Sequence, residues 1–366
     1  MRILSVVGTR PQLIKAAALE PALRARFDTR LIDTGQHYDD AMAGTFFREL
    51  GLRPPDHDLD VGGGSGSDQT GRMLIALDPI LREASPDAVL VYGDTNTTLA
   101  AALVAAKHGI PIAHVEAGLR SFDRRMPEEI NRVVADHLSR WLFAPTPAAV
   151  ANLRREGIVD GVVQVGDVLQ DLVARTASEV RDPAVLAVVG EDLRPGRYIL
   201  ATIHRAENRE VAAMEAWAAS LAGIARPERP VILALHPGTR AALDAAGIRL
   251  SPQVRVIEPQ GYRTTLGLQL HAAAVVTDSG GVQREAAWLQ VPCLVLRGTT
   301  EWVEAVADSA GSMVVVGLDA DLARSELDRL APLDDAGRAA ERRATDVRVQ
   351  PAGAVDAIVE TLAGAA

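Results

Sequence analysis

Short apolar runs that alternate with amphipathic segments constrain the fold of this chain more than any other feature of its sequence. Helical patterns such as Pro11–Ala25 and Leu99–Lys107 lie between these runs. The predicted strands of the first half are Ile3–Val7, Thr29–Asp33, Ala88–Tyr92, Pro111–Val115 and Trp141–Ala144. Continuous apolar strands followed by helices indicate a parallel sheet that is covered on both faces.

The alternation breaks at Arg181–Gly196, where Pro183, Pro195 and Gly196 lie among charged residues, and then starts again. The predicted strands of the second series are Tyr198–Ala201, Val231–Leu235, Val254–Ile257, Ala272–Thr277 and Pro292–Leu296. Two successive series predict an α/β fold of two doubly wound, Rossmann-like domains that face a central cleft.

We place the boundary between the two predicted domains within Gly166–Ala184, so that residues 1–170 form the first domain and 171–349 the second. The segment of about 350–366 contains a predicted amphipathic helix, Ala354–Leu362, that crosses back onto the first domain. The glycine-rich stretch Gly62–Ser67 predicts a flexible loop that is too short to link domains.

Charge and composition exclude several classes of protein. The 366 residues include 38 Lys and Arg against 48 Asp and Glu, which gives a net charge of −10. Nucleic-acid binders usually carry the opposite excess. A single cysteine excludes a disulfide scaffold, and 48% hydrophobic residues exclude a disordered chain. No apolar run approaches the ~18 residues of a membrane helix, and the first residues lack the features of a signal peptide, so we expect a cytoplasmic protein.

Ligands of open parallel sheets bind beyond the carboxyl ends of the strands, so the residues that follow each strand are the candidate site. Arg10 follows the first strand and lies where Pro11 opens a helix, which suits either an anion site or an ordinary tight turn. The polar loop Gly35–Met42 follows the second strand. Its cluster of hydrogen-bonding side chains is typical of a functional loop. The alternative is a helix start that is capped by Asp39 or Asp40.

Acidic residues directly follow two predicted strands. Asp94 and Glu116 are expected to lie side by side, where neighbouring carboxylates raise one another's pKa and suit acid/base catalysis. The alternative role of Asp94 is that of a helix N-cap. Glu128 and Glu129 follow Pro127 at a helix start, where the helix dipole stabilises acidic residues. This structural role explains Glu129 better than Glu128, whose alternative position faces the cleft.

In the second half, His204 and Arg205 lie at the end of a predicted strand. His204 suits the role of a proton carrier, and Arg205 suits that of a residue that binds phosphate. Ser279-Gly280-Gly281 lies between a strand and a helix, a pattern that predicts a phosphate cradle. Glu285, one turn further, is placed to accept both ribose hydroxyls. The stretch is neither a P-loop nor a GxGxxG fingerprint, and no set of residues has the spacing of metal ligands.

Taken together and in order, these motifs resemble the non-hydrolysing UDP-N-acetylglucosamine 2-epimerase family. The resemblance extends from the first strand to about Val316. It includes GTRPQLIK at 8–15, TGQHYDDAM at 34–42, YGDTNTTLA at 92–100, HVEAGLRSFDRRMPEEINR at 114–132, VGDVLQD at 165–171, TIHRAEN at 202–208, LHPGTR at 235–240, TDSGGVQREA at 277–286 and TTEWVEAV at 299–306.

The resemblance implies a glycosyltransferase-B-like fold, a homodimer, and a reaction that needs no cofactor and no metal. In that reaction a base removes the C2 proton of the sugar while UDP leaves C1, which gives 2-acetamidoglucal. Reprotonation from the opposite face and return of UDP give the C2 epimer, the manno sugar.

By the same resemblance, Asp94, Glu116 and Glu128 are the catalytic carboxylates and His204 assists them. The expected UDP-binding residues are Arg10, Arg205, Ser279, Gly280, Gly281 and Glu285. A second, activating nucleotide-sugar site is expected at Gln36, His37, Arg72 and His236. Which carboxylate is the base stays open.

The substrate also stays open at the level of sequence. The stretch Ser121–Met126 resembles a subgroup that includes enzymes acting on UDP-diacetamido-glucuronate, where Arg124 or Arg125 would meet a sugar carboxylate. The alternative is that these cations are solvated or pair with Asp123. Gly298 departs from the acidic or amide residue common in the family, which puts an interaction near the nucleotide in doubt.

Three other functions fit some of these features. A glycosyltransferase would share the fold and the cradle, but it needs one base rather than three acids. A hydrolysing epimerase would release UDP and free N-acetylmannosamine. A non-catalytic nucleotide-sugar sensor would bind without turnover.

Overall fold

A computed structural model describes residues 1–36, 49–190, 192–235 and 237–365. It divides into two compact units. Unit 1 comprises Met1–Leu172 together with Pro351–Ala366, and unit 2 comprises Val173–Gln350. Among the described residues, no helix has both the length and the apolar composition that crossing a bilayer requires.

A seven-stranded sheet, parallel throughout, forms the centre of unit 1. Its strands are β1 (Arg2–Val7), β2 (Asp28–Asp33), β3 (His57–Asp58), β4 (Ala88–Tyr92), β5 (Ile112–Val115), β6 (Trp141–Ala144) and β7 (Val162–Gln164). They are ordered β3-β2-β1-β4-β5-β6-β7. The chain runs outward from β1 and then returns to β4, so the loops after β1 and β4 flank the topological switch point.

Helices cover the sheet of unit 1. They are α1 (Arg10–Arg26), α2 (Gly66–Ala84), α3 (Asn96–Lys107), α4 (Pro127–Leu138), α5 (Pro147–Arg155) and α6 (Val168–Thr176, which continues into unit 2). Helix α3 buries a row of alanines, because small side chains let it lie close to the sheet.

The last helix, α14 (Ala354–Ala363), belongs to unit 1. Asp171 accepts hydrogen bonds from the backbone amides of Gly353 and Val355, at 3.0 and 2.9 Å. Arg26 of α1 pairs with Glu360 at 3.0 Å. The carboxylate of Asp171 therefore caps and anchors this helix.

Unit 2 contains a six-stranded parallel sheet in the order β10-β9-β8-β11-β12-β13. Its strands are β8 (Ile199–Ile203), β9 (Val231–Leu235), β10 (Val254–Ile257), β11 (Ala274–Thr277), β12 (Cys293–Val295) and β13 (Met313–Val315). Its helices are α7 (Val211–Ile224), α8 (Pro237–Ala246), α9 (Tyr262–His271), α10 (Gly280–Trp288), α11 (Val303–Asp308), α12 (Ala320–Leu330) and α13 (Ala336–Asp346). Here the switch point lies between β8 and β11.

Two parallel, doubly wound sheets confirm the predicted α/β class. The short strands β3, β7 and β13 were not predicted. The stretch Gly62–Ser67 is not a loop throughout, because Ser65 accepts a hydrogen bond from the Asp68 amide and caps α2, which begins at Gly66.

Candidate active site

Asp94 and Glu116 follow neighbouring strands at the carboxyl edge of the unit 1 sheet. Tyr92 of β4 is in register with Val115 of β5, so each carboxylate lies one or two residues beyond its strand. Thr95, not Asp94, caps α3, since its side chain accepts a hydrogen bond from the Thr98 amide. The capping alternative for Asp94 is therefore wrong.

The backbone of Glu116 is held in an unusual conformation. Its φ of +73° lies in the left-handed region, which costs a non-glycine residue free energy. The amides of Glu116 and Ala117 both donate to the carbonyl oxygen of Phe143, at 3.1 Å each. These two hydrogen bonds keep the strained turn in place.

Lys15 of α1 donates from Nζ to Glu116 Oε1 at 2.8 Å. The two side chains are only 8% and 10% exposed, so the ion pair is shielded from water. Sequence reasoning missed Lys15, because its place inside a predicted helix carries no sign of the partner it meets.

Helix α4 supplies the partners of Asp94. Arg132 forms an ion pair with the Asp94 carboxylate and another with Glu129, the latter at 2.8 Å. The Asn131 side-chain amide donates to the Asp94 carbonyl oxygen at 2.9 Å. These contacts fix both the backbone and the carboxylate of Asp94.

The two acids in the first turn of α4 differ in role. Buried Glu129 accepts hydrogen bonds from the amides of Ser121 and Phe122, at 2.8 and 2.9 Å, and therefore organises the preceding loop. Glu128 is only half-buried. In the same loop Arg125 pairs with Asp123 at 2.7 Å while Arg124 is exposed, as the alternative for these cations predicts.

The first turn of α1 lies beside β4. Arg10 is half-buried at the start of the helix, and Gln12 Nε2 donates to the Tyr92 carbonyl oxygen at 2.8 Å. A Cβ on Gly8 would lie 2.0 Å from Thr34 Oγ1, so this turn requires glycine. The sequence Gly8-Thr9-Arg10 thus brings Arg10 to the switch point.

Asp278 organises the candidate site of unit 2. Its buried carboxylate accepts hydrogen bonds from the backbone amides of His204 and Arg205 and from Asn208 Nδ2, the last at 2.7 Å. It also lies 3.0 Å from His204 Nδ1. Burial alone would raise the pKa of Asp278, but the hydrogen bonds and the charge of His204 lower it to about 2.

His204 and Arg205 are therefore held by one carboxylate at the end of β8. The His204 side chain is 50% exposed, and with Nδ1 bonded to Asp278 it is Nε2 that remains to meet a ligand. Arg205 donates from Nε to the Asp278 carbonyl oxygen at 3.1 Å. Sequence reasoning missed Asp278, although a buried acid that ends a strand was itself a signal.

Ser279, Gly280 and Gly281 form the start of α10. Ser279 is its N-cap, and the amides of the first turn have no acceptor within the helix. A Cβ on Gly280 would lie 3.0 Å from both Glu301 Oε1 and Trp302 Nε1, so only glycine fits without displacing them. The carboxylate of Glu301 lies 3.5 Å from Arg205 Nη2 and 2.7 Å from Arg297 Nη1.

Glu285 lies on the same helix and is buried. Its Oε2 accepts a hydrogen bond from Gln269 Nε2 at 2.5 Å. One residue earlier, the Arg284 guanidinium lies 3.7 Å from the centre of the Trp302 ring. Glu285 is thus a fixed hydrogen-bond acceptor one turn beyond the cradle.

The structure describes two of the four residues expected at a second nucleotide-sugar site, Gln36 and Arg72, and each has partners of its own. Gln36 Oε1 accepts hydrogen bonds from the amide and hydroxyl of Thr97. Arg72 donates to the carbonyl oxygen of Gly62 and pairs with Asp68. His37, His236 and the capping candidates Asp39 and Asp40 lie outside the described residues. Within the described ranges, no three side chains are grouped as a metal site would require.

Two parallel sheets whose strands end in charged, hydrogen-bonded loops define a two-unit α/β protein with the features of an enzyme. A family model described as UDP-N-acetylglucosamine 2-epimerase matches residues 21–350. The UDP-N-acetylglucosamine 2-epimerase of Methanocaldococcus jannaschii is 43% identical over 333 residues, 87% of this chain and 88% of that protein. The chain belongs to the UDP-N-acetylglucosamine 2-epimerase family.

Three further comparisons concern substrate and fold. The UDP-2,3-diacetamido-2,3-dideoxy-D-glucuronate 2-epimerase of Pseudomonas aeruginosa is 43% identical over 328 residues, 88% of this chain and 90% of that one. The crystal structure of the Methanocaldococcus jannaschii UDP-GlcNAc 2-epimerase in complex with UDP-GlcNAc and UDP has a TM-score of 0.87 at 37% identity, with both chains fully covered. A glycosyltransferase from Streptomyces nogalater, with a TM-score of 0.54 at 18% identity, shares the fold.

Proposed function

We propose that this protein interconverts UDP-N-acetylglucosamine and UDP-N-acetylmannosamine. The observation that carries the proposal is the pair of fixed carboxylates, Asp94 and Glu116, on neighbouring strands of a chain that belongs to this epimerase family. The structural relative bound to UDP-GlcNAc and UDP supports the choice of ligand.

The reaction inverts C2 by elimination and re-addition. A carboxylate removes the C2 proton, and the electron pair of the broken C2–H bond forms the C1–C2 double bond. The C1–O bond breaks at the same time and releases UDP. A second acid then protonates C2 from the opposite face, and UDP returns to C1. Asp94, Glu116 and Glu128 are the carboxylates that we assign to these transfers.

Release of UDP places charge on its diphosphate, which needs cationic and dipolar partners. We assign Arg10 and Arg205 to the diphosphate, together with the amides of Ser279, Gly280 and Gly281. Glu285 would accept the ribose hydroxyls. His204, oriented through Nδ1 by Asp278, would present Nε2 to the departing group.

A second candidate substrate is UDP-2,3-diacetamido-2,3-dideoxy-glucuronate. The 43% identical relative from Pseudomonas aeruginosa and the exposed guanidinium of Arg124 favour it. The sugar carboxylate of that substrate would pair with Arg124, since Arg125 already pairs with Asp123.

We further propose an activating nucleotide-sugar site at Gln36, His37, Arg72 and His236, a homodimer, and a cytoplasmic location. These follow from the resemblance of the motifs to the family. A sigmoidal dependence of rate on substrate, reduced in Arg72→Ala, would support the second site, and light scattering would report the subunit number.

Proton NMR in D₂O tests the function. Each of the two UDP-sugars is incubated with the protein, and we expect deuterium at C2 together with the manno epimer. Free UDP is assayed in parallel, since its accumulation with free N-acetylmannosamine would indicate hydrolysis instead. Absence of deuterium wash-in with both substrates would overturn the proposal.

A further inference from the structure

We propose that His114 is a positioning residue which, together with Asp136, sets the spacing between the loops that carry Asp94 and Glu116. The inference rests on the proposed function, because its importance for turnover depends on these two carboxylates. Its structural part concerns the loops alone and stands independently of the reaction.

His114 is fully buried on β5 and uses both ring nitrogens. Nε2 lies 2.7 Å from the carbonyl oxygen of Gly93, and Nδ1 lies 2.7 Å from Asp136 Oδ1. A carbonyl oxygen only accepts, so Nε2 donates, and an ionised carboxylate likewise requires a donor at Nδ1. Both ring nitrogens of His114 therefore act as hydrogen-bond donors.

Asp136, in the last turn of α4, is the second half of the connection. Its Oδ2 accepts hydrogen bonds from the Gly118 amide at 3.1 Å and from Arg120 Nη1 at 2.7 Å. Arg120 in turn makes two hydrogen bonds to Glu156, at 2.8 and 2.7 Å. Burial alone would raise the pKa of Asp136, but the charges of His114 and Arg120 and their hydrogen bonds lower it.

The two side chains thus connect both catalytic loops. Gly93 precedes Asp94 and has a φ of +60°, so the direction of its carbonyl group defines the path of the chain into Asp94. Glu116 lies between His114 and Gly118, each of which is bonded to Asp136. One buried pair therefore holds the backbone on both sides of Glu116 and immediately before Asp94.

This connection is specific to the catalytic loops rather than to the sheet. The strands β4 and β5 already pair through their own backbone, and the Gly93 amide donates to the Val115 carbonyl oxygen at 2.9 Å. The Gly93 carbonyl group lies just beyond the paired residues of β4 and β5, and His114 supplies its hydrogen-bond donor. A misplacement of a reacting group by 1 Å costs on the order of 10²-fold in rate.

Two substitutions separate positioning from packing. In His114→Asn the amide nitrogen replaces Nδ1, so it keeps the donor to Asp136 and removes the donor to Gly93. In His114→Gln the amide nitrogen replaces Nε2, so it keeps the donor to Gly93 and leaves Asp136 Oδ1 without its partner. His108→Asn is the matched control, since His108 follows α3 at the surface and its ring is hydrogen-bonded to the side chain of Asp78 at 2.8 Å.

We expect His114→Asn to lower kcat at least about tenfold, with the Kd of UDP within twofold of wild type. His114→Gln should lose less kcat and yet have the lower urea midpoint, whereas His108→Asn should change neither. The inference would be overturned if the His114 variant with the lower urea midpoint also had the lower kcat. It would also be overturned if kcat of His114→Asn stayed within twofold of wild type.

Hydrogen exchange measured by mass spectrometry tests the structural part without any assay of activity. The peptide that spans residues 92–98 should exchange faster in His114→Asn than in wild type and His114→Gln. Unchanged exchange in His114→Asn would overturn the inference whatever the reaction is. An inactive wild type with the expected exchange pattern would instead contradict the proposed function alone.

Discussion

Lys15 Nζ lies 2.8 Å from Glu116 Oε1, although the two residues are 101 positions apart in the chain. The contact joins the first helix of unit 1 to the strained turn after β5. Because both side chains are shielded from water, the ammonium group of Lys15 contributes to the charge compensation of this carboxylate.

Replacing Lys15 with methionine should therefore destabilise the protein. Removing one partner of a shielded ion pair typically costs about 3–5 kcal/mol, because the remaining charge loses a compensating partner in a place shielded from water. Urea denaturation measures the loss. The exposed Lys107→Met is the matched control and should stay within about 0.5 kcal/mol of wild type. An equal, small effect in both variants would contradict the assigned role of Lys15.

Amide substitution of either strand-end carboxylate should impair proton transfer without a large change in shape. We expect Asp94→Asn and Glu116→Gln to lower kcat on the order of 10²-fold or more. The exposed Asp160→Asn serves as control and should turn over like wild type. Near-full turnover in both amide variants would show that the acid/base assignment is wrong.

Asp278 should make the stability of the protein depend on pH in the acid range. Its pKa is about 2 in the folded chain against an ordinary value of 3.8, so its ionised form stabilises the fold by about 2 kcal/mol above pH 4. That contribution should be lost as the pH falls from about 4 to about 2. The free energy of unfolding of Asp278→Asn, measured by urea from pH 6 downward, should therefore converge on that of wild type.

Asp244→Asn, a substitution of an exposed residue in the same unit, is the control for this comparison. Its free energy of unfolding should differ from that of wild type by the same small amount at every pH. A difference between wild type and Asp278→Asn that stayed constant down to pH 2 would exclude an ionised Asp278 as its source.

Cys293 should be inert to thiol reagents in the native protein. It is fully buried on β12, and burial raises the pKa of its thiol to about 12. As the single cysteine of the chain, it should react with a disulfide reagent only when unit 2 opens. The reaction rate should therefore rise steeply across the urea transition. Rapid labelling in buffer would contradict the packing of β12.

The sequence predicted the parts of the fold that are locally encoded. Strands β4, β6, β9 and β10 have the predicted bounds, because each is a run of four or five residues that are apolar, apart from Arg255 in β10, between clear breaks. The short strands β3, β7 and β13 were missed, since two or three residues form no pattern and pair only because a neighbouring strand is already present.

The candidate site shows the same limit. The placement of Asp94, Glu116 and Arg205 just beyond strand ends was predictable, because each follows a recognisable strand pattern in the sequence. Lys15, His114 and Asp278 were not, because their roles depend on partners that are brought near only by folding. For His114 the partner is a backbone carbonyl group, which no sequence pattern identifies.

The composition of unit 1 has a consequence for synthesis of the chain on the ribosome. Helix α14, which packs in unit 1, is translated only after the whole of unit 2. Unit 2 is one continuous stretch, and all of it is translated before α14 is made. The hydrogen bonds from the Gly353 and Val355 amides to Asp171 therefore form only after that point. Unit 1 is begun first, yet it receives its last helix only after unit 2 has been translated.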